Sequence, residues 1–311
     1  MVDAEFTNGV IAVKEKSLLG DKLLRFCEMT AGDVLRALLE HGFGGGAEPE
    51  GEALVSAEER LLDDFIREYA PSKAEKEYFL SPRDFHNGEA LVKAKILGTD
   101  ESKLLAPEGC IPVSDISAAI ENEKYDTLGK ELGGAVKEAL SKEGITGAEV
   151  GGIFSRALFA HLSEACKHNR LLKKLLQMKA DRLNILTAMR AKGEEYAKTL
   201  YVKGGKLKEG DLHRVFLGDG RVLEDTPHRE FYALCLSAKE AGAPFTAAER
   251  ELDSFETAFF LEERYELEGK RPFLYYVLRR RAEIQNVRMI LVCLNAGLKE
   301  AAIKQRLRAI I

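Results

Sequence analysis

The clearest periodicity in the chain lies near its C-terminal end. Val277, Ile284 and Leu291 recur at sevens, with Val287 and Leu294 between them. This spacing lays one apolar seam along a helix, and Arg279, Arg280, Arg281 and Arg288 flank it. No run of alternating β-branched residues is bounded by hairpin turns, so the pattern predicts an all-α protein. Loops are expected at 42–50, 105–112, 203–211 and 218–227, where glycine, proline and polar residues interrupt the helical pattern.

Three kinds of marker recur in the same order with a period near one hundred residues. The first is a Gly-x-[Ile/Leu] turn: Gly9-Val10-Ile11, Gly109-Cys110-Ile111 and Gly205-Lys206-Leu207. The second is a capping box opening a long helix, at Ser56…Glu59, Thr146…Glu149 and Thr246…Glu249, where hydroxyl and carboxylate satisfy orphan amides of the first turn. Around two of these boxes the likeness extends without a gap, pairing Arg60 with Arg250, Leu62 with Leu252, Asp63 with Asp253 and Phe65 with Phe255. The third marker is an acidic residue followed three places later by asparagine inside an apolar helix: Asp84…Asn87, Asp181…Asn184 and Glu283…Asn286. Its acidic members are 97 and 102 residues apart. Preserved order and spacing predict three tandem similar helical-bundle domains, 1–105, 106–203 and 204–311.

Charge sharpens this picture. The net charge is −5 and the pI near 5.9, which argues against a nucleic-acid binder. Residues 46–68 carry eight acidic and two basic side chains, and 249–269 the same. Residues 271–311 carry nine basic against two acidic, and 170–208 eleven against three. Such faces either pair within the protein or meet different partners. Five scattered cysteines without a CxxC fit a reducing compartment. No leader or membrane-spanning run is expected from the sequence.

Candidate chemistry is sparse. His41-Gly-Phe-Gly-Gly-Gly46 lacks the Lys-Ser/Thr of a phosphate loop and follows a helix instead of a strand. The six histidines form no HExxH and no i,i+4 pair; His161 and His168, with Cys166 nearby, make weak ligand geometry. There is no GxSxG elbow. The acidic–asparagine pair occurs three times, whereas catalysis needs one constellation in one cleft. Asp84, Asn87, Asp181, Asn184, Glu283 and Asn286 are therefore expected to join helices. No catalytic, cofactor-binding or metal-binding residue is expected, and no direct nucleotide or nucleic-acid binding.

The run from Arg271 through Glu283 and Asn286 to Ile290, with the tail from Gly297 to Arg308, resembles the C subunits of archaeal and bacterial V/A-type ATPases, a family that includes the d subunit of the eukaryotic vacuolar enzyme. Ala180-Asp181-Arg-Leu-Asn184 through Arg190 is similar to the corresponding middle segment. The resemblance implies a funnel of three helical domains in pseudo-threefold arrangement. It implies a non-catalytic central-stalk component, between the rotor shaft made by the D and F subunits and the membrane ring of lipid-binding proteolipid subunits. It also implies a cytoplasmic place, peripheral to the membrane. Arg280 and Arg288 are expected at an inter-subunit or inter-domain contact.

Overall fold

The computed structural model describes residues 4–100, 104–262 and 271–308. The described chain is helical, with no strand among the described residues. In order, the helices are α1 (Ala4–Lys14), α2 (Lys22–Phe26), α3 (Ala31–Glu40), α4 (Gly51–Tyr69), α5 (Lys73–Leu97), α6 (Val113–Glu121), α7 (Lys130–Leu140), α8 (Gly147–Ala165), α9 (Arg170–Arg190), α10 (Glu194–Leu200), α11 (Glu209–Phe216), α12 (Arg229–Glu240), α13 (Thr246–Glu262), α14 (Arg271–Asn295) and α15 (Glu300–Lys304). The chain forms two compact units, one of residues 1–72 with 254–311 and the other of residues 73–253.

Two hydrophobic cores stand out among the described residues of the contiguous unit. In the first, Phe85 and Val92 of α5 meet Ile116 and Ile120 of α6, Leu132 and Val136 of α7, and Ile153 and Phe154 of α8. In the second, Ile185 and Met189 of α9 meet Val215 of α11, Phe231 and Cys235 of α12, and Ala248 of α13. Packing therefore runs across residues 105 and 203, and the signature helices α5 and α9 each contribute to the core of the segment that follows them. The heptad seam of α14 behaves as its spacing predicts in the discontinuous unit. Val277, Ile284, Val287 and Leu291 are buried there, and Phe273 and Tyr276 close around Phe65 of α4 at centroid distances of 5.7 and 5.1 Å.

The capping boxes divide. Thr146 caps α8 with its hydroxyl accepting from the Glu149 amide at 3.3 Å, while Glu149 accepts from the Thr146 amide at 2.8 Å. Helix α13 begins at Thr246, the residue read as its cap. Ser56 is a correction: α4 starts at Gly51, so Ser56 lies inside it and its hydroxyl donates to Glu52 one turn back. Gly9 is another, sitting inside α1 with no close neighbour. Local sequence alone cannot distinguish a cap from the same residues one turn further in.

The difference is measurable. Thr146→Ala should destabilise by about 0.5–2 kcal/mol, and Ser56→Ala should stay within about 0.5 kcal/mol, both read from urea denaturation at neutral pH. The Thr146 hydroxyl and amide hold the Glu149 carboxyl below its usual range. A depressed carboxylate pKa contributes stability above the unfolded value, and this contribution is lost as pH falls through the folded one. The gap between the two variants should therefore narrow in acid.

Candidate functional site: three carboxylate–asparagine clasps

The six repeated polar residues do one job three times. On α5, Asp84 accepts from the amides of Cys110 and Ile111, each at 3.0 Å. One turn on, Asn87 takes both backbone groups of Ala106, accepting from its N–H at 2.8 Å and donating to its carbonyl at 3.2 Å. On α9, Asp181 accepts from Lys206 and Leu207 at 3.0 and 2.9 Å. Asn184 holds Val202 in the same two-way manner, both bonds at 2.9 Å. On α14, Glu283 accepts from Gly20 at 2.8 Å, while Asn286 accepts from the Arg308 amide at 2.9 Å and donates to its carbonyl at 3.3 Å.

The residue types follow from these tasks. A primary amide presents an acceptor and a donor side by side, so it can pair with one peptide unit as a neighbouring strand would. A carboxylate offers acceptors only, which suits successive N–H groups. A spacing of three places both on one helix face. All six residues are buried, where hydrogen bonds to a charged group are worth about 1.5–3 kcal/mol. The sequence suggested that these residues join helix to helix. They instead fix the backbone of the connecting segments, whose amides lack a helical partner.

The clasps also explain the glycine turns. A Cβ on Gly109 would stand 2.3 Å from Asp84 Oδ1, and one on Gly205 would stand 2.1 Å from Asp181 Oδ1. Only glycine lets the carboxylate approach that closely. The counterpart on α14 is Gly20, whose amide Glu283 binds, and not Gly9. Sequence periodicity missed Gly20 because the triplet there reads Gly20-Asp21-Lys22, without the apolar third residue of the other turns.

Each carboxylate has its own electrostatic setting. His228 Nε2 lies 3.4 Å from Asp181 Oδ2, both side chains buried. Glu283 instead shares a buried guanidinium with Glu58. Arg280 Nη1 donates to Glu283 at 3.0 Å, Nε donates to Glu58 at 2.8 Å, and Nη1 also reaches the Ser17 carbonyl at 3.2 Å. The guanidinium lies 5.2 Å from the Phe43 ring centroid. Burial alone would lower the Arg280 pKa, but Glu58 and Glu283 outweigh it and hold it raised. Glu58 further accepts from the Gly44 amide at 2.7 Å. The glycine-rich segment, which lacks the Lys-Ser/Thr of a phosphate loop, thus spends a backbone donor on the protein's own carboxylate. Glycine suits the site because Gly44 has φ +79° and a Cβ there would meet Leu54 at 2.7 Å.

The opposed charge runs largely meet each other. Arg288 of α14 forks between Glu52 and Glu59 of α4 at 2.9 and 3.0 Å, and Lys304 pairs with Glu28 at 3.0 Å. Arg280 and Arg288 therefore both engage α4 within the discontinuous unit. Within the contiguous unit, basic α9 faces the start of acidic α13, where Arg182 pairs with Glu251 at 3.1 Å and Arg190 pairs with Glu249. The rest of that acidic stretch, 263–269, lies outside the described residues.

Other candidate groups are scattered. His161 Nε2 lies 3.2 Å from Glu77, beside a cavity of about 260 Å³ bordered by Asp84 and Cys110. The Asp84 carboxylate is already engaged by two amides. The Cys166 thiol is buried and pushed up to about 12 by that burial, which makes a poor thiolate ligand or nucleophile at neutral pH. Among the described residues, no three His, Cys, Asp or Glu side chains gather as a metal set.

Comparison with known proteins is consistent with this architecture. The family described as ATP synthase (C/AC39) subunit matches residues 7–306. A curated relative, the C subunit of the A-type ATP synthase of Desulfurococcus sp. (strain SY), is 27% identical over 252 residues, covering 75% of this chain and 68% of the relative.

Proposed function

The chain belongs to the ATP synthase (C/AC39) subunit family, non-catalytic components of A/V-type ATPases, and from that premise we propose that it is the central-stalk coupler between the rotor shaft and the membrane ring. One mouth of the body receives the D and F subunits. The opposite face rests on the ring of lipid-binding proteolipid subunits. Torque passes through it in either direction, linked to proton or sodium movement. On this reading the chain is three tandem similar helical repeats, 1–105, 106–203 and 204–311. It is peripheral to the membrane on the cytoplasmic side.

The observation that carries this reading is how the strongest polar groups are used. Asp84, Asp181, Glu283 and their asparagines hold connecting backbone, and Arg280 neutralises buried carboxylates. A body whose connectors are pinned to its helices, around close-packed cores, resists deformation, which is what transmitting torque requires. No described helix is long and apolar enough to cross a membrane, so the reading links chain and ring by docking.

The test mixes the purified chain with the D–F shaft from its own ATPase and, separately, with the detergent-solubilised ring. Gel filtration should show a stoichiometric complex with each. A chain that is folded by circular dichroism yet binds neither would refute the proposal.

A further inference from the structure

The two units differ in how they are held shut. In the contiguous unit the clasps tie α5 and α9 to backbone no more than 27 residues away. The other unit is built from two segments, 1–72 and 254–311, separated in the chain by the whole of 73–253. Its polar ties are correspondingly remote: Gly20 to Glu283 spans 263 residues, Glu58 to Arg280 spans 222, Glu52 to Arg288 spans 236 and Glu28 to Lys304 spans 276.

We infer that the discontinuous unit opens as one cooperative piece while the contiguous unit stays folded, and that the α14 ion cluster is the lock that holds it closed. Three observations carry this. First, the covalent joins to the contiguous unit fall at 72–73 and within α13, at 253–254, and the two cores described above for the contiguous unit draw on no residue of the other. Second, polar ties centred on Arg280, Glu283 and Arg288 draw together Ser17, Gly20, α4 and α14. Removing α14 would unfasten the N-terminal segment, α4 and, through Asn286, the backbone at Arg308 together. Third, the apolar contacts of α4 with α14, such as Phe65 against Phe273 and Tyr276, also join the two segments. Separation therefore disrupts both the polar and the apolar ties, which makes the opening cooperative. Reclosure must bring remote segments together, whereas the neighbouring unit's clasps reclose over short loops.

The device is testable in the intact chain by native-state hydrogen exchange, read peptide by peptide. Peptides from α3, α4, α14 and the core-facing turns beside them should exchange as one group, at least tenfold faster than peptides from α5, α7, α8 and α9. Arg288→Gln, which leaves the buried triad in place, should speed the first group about threefold to tenfold and leave the second unchanged. Arg280→Met should go further, abolishing protection in the first group while the second keeps its own. Exchange of both groups at one common rate would overturn the inference. So would an Arg288→Gln variant that speeds neither group or both equally, or an Arg280→Met chain that loses protection throughout.

Discussion

Replacing Arg280 by methionine should cost about 3–5 kcal/mol, the largest single loss expected in this protein. The guanidinium is the shared partner of Glu58 and Glu283, with all three side chains only 5–6% exposed. Methionine fills much of the volume but leaves two carboxylates buried without their cation, and an uncompensated buried charge accounts for a loss of this size. The replacement also surrenders the bond to the Ser17 carbonyl and the contact with the Phe43 ring. The magnitude comes from the half-broken cluster more than from the cluster's worth. Glu58→Gln on top of Arg280→Met should therefore cost less than Glu58→Gln alone, because it removes one of the stranded charges. Urea denaturation of the four proteins in the cycle measures this. A loss below about 1 kcal/mol for Arg280→Met would mean that the cluster is solvated and does not act as a lock.

Gly205→Ala should cost about 2–4 kcal/mol although it adds only one methyl group. The new Cβ would stand 2.1 Å from Asp181 Oδ1 and 3.3 Å from the Asp181 amide nitrogen. Neither the helix backbone nor a carboxylate already bound to two amides can retreat easily. Overpacking of this kind costs about 1–3 kcal/mol, and separating the Lys206 and Leu207 amides from their acceptor adds a comparable penalty. Gly109→Ala should behave alike, because its Cβ would meet Asp84 Oδ1 at 2.3 Å. Gly210→Ala serves as the control. That glycine lies in the first turn of α11 with nothing within 4 Å, so alanine there should be neutral or slightly stabilising. Equal losses at 205 and 210, read by thermal and urea unfolding, would remove the clasp explanation.

Much of the fold was legible in the sequence, for definite physical reasons. Helix periodicity is a local consequence of 3.6 residues per turn, so the α14 seam could be read from Val277, Ile284 and Leu291 without knowing what covers it. The acidic–asparagine pairs announced themselves because similar local geometry demanded an acidic residue and an asparagine at the same spacing three times. The family resemblance lay in two of the same helices, α9 and α14, and in the tail after α14. The Thr146 box was readable for the same reason, whereas the Ser56 box was not, because where a helix starts depends on what packs beside it.

Tertiary structure alone decided what those polar residues hold and where the charges go. Ala106, Val202 and Arg308 have no common side chain, because an asparagine that grips a peptide unit is indifferent to the residue bearing it. No sequence signal could mark them. Gly20 was hidden since its partner Glu283 lies 263 residues away. The acidic runs at 46–68 and 249–262 and the basic runs that answer them are far apart in the chain, and only folding shows Glu58 against Arg280, Glu59 against Arg288 and Glu251 against Arg182. The sequence determined the helices and the residue pairs that recur along them, because those obey short-range geometry. Partners across the chain were settled only by the packed structure, because charge and hydrogen-bond complementarity act through space.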